Sequence, residues 1–357
     1  MKRLRGPRRT DQIWKGGLGA KPAWVSHLAL VGQVGFAVQM ALAAGTAGRA
    51  GAFLRVGIGA EPMALGGAMT AASRTVYAAS FNPAALVSLS GPQFGSSYAL
   101  LSLDRKLSFV GFAAAVGTAG KGKLEEASHP RPPAAVGLAW IHAGVGEIDG
   151  RDLDGRHTAT LSSSENAFLF AFALKPHRLV ALGLTGKVFY SRFPGVKEDG
   201  GALSSQGFGV DLGMFIEPGR GFAVGLCAEN LNAHYTWNTQ GVWEHGSSKT
   251  DYFPRGLRLG LACHAFDQRA LALAQIEKRE DSALAWAAGL QWAMGEEFLF
   301  RAGIRRNRPA LGLGVRQPLW GRDFRLEYAF FAEPESPQPA HWVGWRVDFG
   351  RRQTGLP

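Results

Sequence analysis

Residues 178–192 read RLVALGLTGKVFYSR. Val180, Leu182, Leu184, Val188 and Tyr190 have one parity, and Ala181, Gly183, Thr185, Lys187 and Ser191 the other. Successive side chains of a strand point to opposite faces, so this stretch builds a strand with an apolar face backed by a small, polar one. The same period returns further on. Leu257, Leu259 and Leu261 oppose Arg258, Gly260 and His264. Phe324, Leu326, Tyr328 and Phe330 oppose Arg325 and Glu327, and Val343, Trp345, Val347 and Phe349 oppose Arg346 and Asp348. A period of two carried along the chain makes the protein all-β.

Strand-length segments fall at 92–101, 106–116, 133–143, 166–174, 178–192, 204–216, 221–230, 254–264, 269–277, 283–293, 298–305, 310–317, 323–330 and 342–349. Most have the length of a transmembrane strand, and they predict a 14-stranded antiparallel transmembrane β-barrel over residues 91–350. Bacterial barrels join their strands by short periplasmic turns and longer external loops. With the first strand rising, the tight connections 175–177, 217–220, 265–268, 294–297 and 318–322 are periplasmic, and 144–165, 193–203, 231–253 and 331–341 are external loops. The alternation fails at the front, where 102–105 is short and 117–132 long. A soluble sandwich also alternates. Barrel-length strands, Trp or Tyr near many strand ends and a leader segment favour the membrane.

That leader spans residues 1–52. A basic stretch through Pro22 precedes an uncharged, largely apolar run from Trp24 to Ala44 and then small residues to Ala52. It reads as a secretory signal cut after Ala43, Ala44 or Ala52, within 43–52. The apolar run is also about a bilayer long, so an uncleaved anchor is the competing reading. The formal charge of +11 includes seven Lys and Arg from the first 22 residues of this leader and gives little support to nucleic-acid binding. Residues 351–357 form a tail past Phe349.

Residues 53–89 read FLRVGIGAEPMALGGAMTAASRTVYAASFNPAALVSL. Gly57, Gly59, Gly66 and Gly67 allow close backbone approach, and Pro83 holds Asn82 out of helix while permitting a short helix to start beside it. The order FLRVGIGA, ALGGAMTA, FNPAAL and then a strand resembles the amino-terminal part of outer-membrane barrels of the PorV/PorQ type, themselves similar to the FadL long-chain fatty-acid transporters. Similarity continues at 223–232, 253–262 and 298–328. The resemblance implies that residues 53–90 form an N-terminal hatch inside the lumen, with Gly57, Gly59, Gly66, Gly67, Asn82, Pro83 and Ala84 as its gating residues. It also implies an outer-membrane location in contact with lipid and a hydrophobic small-molecule ligand such as a fatty acid. The alternative is a PorV-like partner of secreted proteins, and a third reading is a structural barrel that transports nothing.

Strand parity turns Arg258, Arg301, Arg305, Arg316, Arg325 and Arg346 inward together with Asp211, Glu229, Glu327 and Asp348, because charge on the lipid face costs ~2–4 kcal/mol per Arg at mid-depth. These charges either pair with one another and the hatch or form a basic lining for anionic head groups. Tyr235, Trp237, Trp243 and Tyr252 in the outer loop 231–253 are either girdle residues or an apolar landing groove. Cys227 points inward and Cys263 outward, against a bridge. There is no HExxH, no GxSxG and no phosphate loop, so the sequence predicts neither enzyme activity nor cofactor nor metal.

Overall fold

The computed structural model describes residues 49–72, 74–116, 133–152, 154–197, 200–240, 246–333 and 338–350. Sixteen strands follow one another in sequence. They are β1 (Gln93–Leu100), β2 (Arg105–Val116), β3 (Ala134–Arg151), β4 (His157–His177), β5 (Val180–Phe193), β6 (Leu203–Gly219), β7 (Phe222–Leu231), β8 (His234–Asn238) and β9 (Ser248–Tyr252), then β10 (Gly256–Ala265), β11 (Ala270–Arg279), β12 (Ala285–Met294), β13 (Phe298–Arg305), β14 (Arg308–Leu319), β15 (Arg322–Phe331) and β16 (Ala340–Asp348).

Fourteen of them close a ring of antiparallel neighbours, β1 to β7 and β10 to β16. The seam between first and last strand is paired over its full length, from Gln93 opposite Asp348 to Leu100 opposite His341. Closure removes every edge, so each backbone polar group within the wall finds a partner without water. The all-β, 14-stranded antiparallel barrel read from periodicity is the observed fold.

The two faces of the wall sort as their parity requires. Leu182, Leu184, Val188 and Tyr190 are exposed on the outside of β5, while Ala181, Thr185, Lys187 and Ser191 are buried inside. Outward apolar residues recur on nearly every strand, among them Leu257, Leu259, Leu261, Leu290, Leu313 and Leu326. In water such a surface would be untenable, whereas lipid tails solvate it. Tyr98, Tyr190 and Trp286 lie toward one end of their strands and Phe266, Trp292 and Trp320 toward the other, all on the exposed side.

Strand ends differ most from expectation beyond the membrane. The segment 144–165 is not a loop. β3 and β4 continue as a hairpin to Arg151 and His157, with register shifts at Val145/Ile148 and Gly150/Arg151. Ile148 and Leu161 bury against each other to form a small core of its own. The hairpin tip is polar, and the Asp149 carboxyl is held below its usual range by a bond from His157 and then by Arg151. Likewise 231–253 contains the hairpin β8–β9, whose first strand pairs with β6 through Ser205–Trp237 and Gln206–Thr236. In both places alternation persists past the bilayer, and the chain keeps pairing because its backbone groups still need partners.

Inside the ring lies the segment that precedes β1. It contains short helices at Ala52–Val56, Ala60–Ala64 and Ala78–Phe81, followed by a 3-10 turn at Pro83–Ser88. Gly57 (φ 100) and Gly59 (φ 80) bend the chain between the first two helices, and Gly66 (φ 65) and Gly67 (φ 72) end the second. All four angles lie where an L side chain is strained. Phe53, Met63, Leu65, Met69, Val76, Tyr77 and Leu86 are buried, and together with inward wall residues they form one continuous core.

The direction of this segment follows from its contacts. Arg55 bonds Asp281 in the outer β11–β12 connection at 2.8 Å. Arg74 reaches Gln268 in the β10–β11 turn at the opposite end, and Gly91 abuts Gly350 there. The chain therefore enters the lumen at the outer mouth and descends to the periplasmic end before turning into β1. The tail 351–357 and the connection 117–132 lie outside the described residues, as does almost all of the leader.

Candidate functional site

Hatch and wall meet backbone to backbone. A Cβ on Gly183 would collide with Ala84 N, on Gly213 with Asn82 Oδ1, on Gly225 with Thr70 O and on Gly303 with Gly66 N. On Gly289 it would sit 2.6 Å from Leu65 O. The wall glycines thus give the hatch its room, and Gly66 answers from the hatch side, where a Cβ would fall 2.6 Å from Ile304 O.

Asn82 is the polar tie of this contact. It is fully buried and extended (φ −159, ψ 100), as Pro83 demands. Its Oδ1 accepts from Ala84 N at 3.2 Å and caps the 3-10 turn. Its Nδ2 donates to Thr70 O within the hatch at 2.8 Å and to Met214 O of the wall at 3.0 Å. One side chain therefore ties three segments together.

A second tie is ionic. Glu61, on the hatch, is bonded by Arg346 Nη1 at 2.5 Å and lies 3.6 Å from Arg301, which also pairs with Glu327 at 3.1 Å. Arg346 further donates to Thr75 Oγ1 at 2.9 Å. Burial alone would raise the Glu61 carboxyl, but Arg346 and then Arg301 overcome it and hold the group at about 2. Strand parity finds Arg301, Arg346 and Glu327 but not Glu61, which lies outside any strand. An acid in an apolar, Gly-rich stretch opposite an arginine-lined wall is nonetheless a readable signal.

The remaining predicted lumen residues separate into three groups. Arg258 pairs with Glu229 at 2.6 Å, and Arg279 joins Glu229 and Glu277 at 2.8 and 2.7 Å. Asp211 pairs with Lys187 at 2.7 Å and accepts from Asn230 N at 2.8 Å. This occurs where β6 and β7 lose register between Val210 and Leu212, with Asn230 at φ 58, so side chains replace the missing ladder bonds. Arg316, Arg325 and Asp323 cluster near the periplasmic end, where Asp348 accepts from Gln93 at 3.1 Å. Lys187, Asn230, Arg279, Glu277 and Asp281 were not singled out from sequence.

Arg305 differs from the others. Its guanidinium donates to Arg55 O at 3.3 Å, and it has no ion pair among the described residues. It borders two spaces. One lies deeper, where Ile58, Phe81, Ile141 and Leu169 meet Lys187, Glu229, Arg258 and Glu277. The other opens at the outer mouth, where Val56, Leu101, Phe331 and Trp342 face Arg105, Arg279, Arg306 and Glu333. Arg55, Met63, Arg279 and Arg305 border both. The outer space, with apolar side chains beside several arginines, has the chemistry of a site for an amphipathic anion.

The described outer aromatic residues differ in burial. Tyr235 is buried, packed edge-on to Phe253 and Phe189, and donates its hydroxyl to Glu165 at 3.1 Å. Trp237 is half-buried against Phe193 and Tyr235. Tyr252 stands 67% exposed beside His234. Trp243 lies outside the described residues. Cys227 is buried and Cys263 half-buried, and both are free thiols. Among the described residues no group of three or more His, Cys, Asp or Glu is placed to hold a metal ion.

No family model and no curated protein sequence matches the chain. Solved structures do. The crystal structure of the Pseudomonas putida toluene transporter TodX superposes with a TM-score of 0.53 at 13% identity, covering 82% of this chain and 97% of that one. A TodX deletion mutant described as a monoaromatic hydrocarbon channel gives 0.52 at 13% identity over 82% and 97%. A Pseudomonas aeruginosa FadL homologue gives 0.45 at 12% identity over 79% and 94%. The chain thus shares the barrel fold of TodX, and that fold, closed and apolar on its outer face, is a bacterial outer-membrane β-barrel.

Proposed function

We propose that this barrel admits hydrophobic small molecules passively across the outer membrane, and that its cargo is an amphipathic carboxylate of the long-chain fatty-acid type. The observation that carries the reading is Arg305, a half-buried cation without an ion pair among the described residues, set between a charged inner space and an outer one walled in part by Val56, Leu101, Phe331 and Trp342. A fatty acid would lodge its tail against Val56, Leu101, Phe331 and Trp342 and its head group on Arg305. The transport names borne by structures of the same fold, a toluene transporter and a hydrocarbon channel, support hydrophobic cargo, and the carboxylate rests on Arg305 alone. Entry is downhill and needs no cofactor. Because hatch and wall backbones touch at Gly183, Gly213, Gly225 and Gly303, inward release requires the hatch to shift. Gly57, Gly59, Gly66 and Gly67 are its bends and Asn82–Pro83–Ala84 its hinge.

Uptake of a labelled long-chain fatty acid by cells lacking their own carrier tests this. Wild-type protein is expected to raise the initial rate severalfold. Arg305→Ala should lower it for the acid while sparing the corresponding alkane, and Asn82→Ala should alter it for both. Uptake indifferent to the protein rejects the proposal.

A PorV-like role for secreted partners is the second reading, favoured by the projecting β8–β9 hairpin with Tyr252 exposed at its foot. Stable protein partners recovered from envelope extracts, with no protein-dependent uptake, would establish it instead.

A further inference from the structure

We propose that the outer space selects a carboxylate that carries a second, neutral oxygen acceptor along its chain, a keto or hydroxy acid, and that the indole N–H of Trp342 is the donor that reads it. This rests on the carboxylate site at Arg305 and adds a specificity contact for the rest of the ligand.

Trp342 of β16 is fully buried and borders the outer space. Its indole Nε1 has no hydrogen-bond partner among the described residues. A buried N–H left without an acceptor is costly, so such a group beside a cavity marks a place that a ligand can complete. For packing alone a phenyl ring would serve without that cost, as Phe331 does on the same space. The Tyr77 hydroxyl is also buried without a partner among the described residues, but Tyr77 borders neither space.

The other polar groups around the space define what it accepts. Its carboxylate is engaged: Glu333 accepts from Ser102 Oγ at 2.8 Å and from Arg105 Nη2 at 3.0 Å. Donors are in surplus. Arg279 sets its Nε against Glu229 and Glu277 at 2.8 and 2.7 Å, while its buried Nη1 has no hydrogen-bond partner among the described residues. Arg305 reaches a carbonyl and no carboxylate among the described residues. A space with donors left over takes a ligand that brings acceptors. The second acceptor is a neutral oxygen, because an indole N–H has no charge to balance and Arg279 already lies against two carboxylates.

Strand order places the two contacts apart. β13, which carries Arg305, and β16 are separated by three intervals of the ring. Neighbouring strands lie about 4.8 Å apart, so roughly 14 Å of wall separates them before the side chains reach inward. The second oxygen therefore belongs well along the chain, with Val56, Leu101 and Phe331 covering the methylenes, and acids oxygenated beside the carboxylate do not fit.

Equilibrium binding to the full chain, purified in detergent, tests this with labelled octadecanoate and a panel of keto octadecanoates that differ in carbonyl position. At least one mid-chain keto acid is expected to bind roughly fivefold tighter than octadecanoate. Trp342→Phe removes the donor and should erase that preference, weakening the keto acid more than octadecanoate. In protein with isotope-labelled tryptophan, the indole resonance missing from the Trp342→Phe spectrum should move further with the keto acid than with octadecanoate. Keto acids that bind no better than octadecanoate, while Arg305→Ala weakens all of them, overturn this inference and leave the carboxylate site standing. A preference that survives Trp342→Phe also overturns it, and binding of none of the acids overturns both readings. The wild-type preference needs no variant, so its absence is decisive even where Trp342→Phe does not fold.

Discussion

Asn82→Ala removes three hydrogen bonds and leaves the buried carbonyls of Thr70 and Met214 each short of a donor. An orphaned buried polar group costs about 1–3 kcal/mol, so the variant is expected to lose roughly 2–4 kcal/mol of hatch docking. Amide exchange of residues 70–85 should quicken while exchange in the wall stays unchanged. Asn82→Asp keeps the acceptor that caps Ala84 but loses both donors, and should fare little better. Glu61 makes a different forecast. Its carboxyl is held at about 2, below its ordinary 4.5, so its ion pairs stabilise the hatch above the ordinary value and lose strength as pH falls toward 2. Hatch protection factors, taken relative to the intrinsic exchange rate at each pH, should therefore be flat from about pH 8 to pH 5 and fall below about pH 4. Glu61→Gln should abolish that acid dependence, and by uncovering Arg346 it should cost about 3–5 kcal/mol at neutral pH.

At the scale of elements, glycines set where hatch and wall approach. Gly183→Val and Gly303→Val would drive a side chain into Ala84 and Gly66, whereas a Cβ added to Gly146 would meet nothing within 4 Å and makes that position a neutral control. The first two substitutions are expected to displace the hatch, detectable as protease sensitivity of residues 53–90 in a barrel that stays heat-modifiable. The β6–β7 irregularity depends on charge instead. Lys187→Met would leave Asp211 buried without its cation, costing about 3–5 kcal/mol, and adding Asp211→Leu should restore part of that loss. Heat-modifiability midpoints of the single and double variants would measure the coupling. If the double variant is no better than the single one, the pair has no such role.

For the whole molecule, the hatch fills a ring that would otherwise be an aqueous pore lined by arginine and carboxylate. Deleting residues 53–90 is expected to raise single-channel conductance in planar bilayers from closed to open and to favour anions, because Arg305 and Arg346 then lack hatch partners. Conductance unchanged by the deletion would mean that the wall itself is occluded.

Strand number, inward and outward faces and the girdle were legible in the sequence because a membrane wall obeys a strict period of two and gives opposite chemistry to the two parities. Residues 178–192 already contain the whole pattern. The glycines and Asn82–Pro83 likewise announced a tight, bent segment, since backbone angle and close approach are local properties. Only the tertiary structure decided which inward charges meet. Arg346 with Glu61, Lys187 with Asp211 and Arg305 without an ion pair among the described residues depend on how far each strand slides past the next and on where the hatch lies against them. The outer hairpins and the hatch's descent from mouth to periplasm were hidden for the same reason, because parity fixes a side chain's face but not its height or its partner across the lumen.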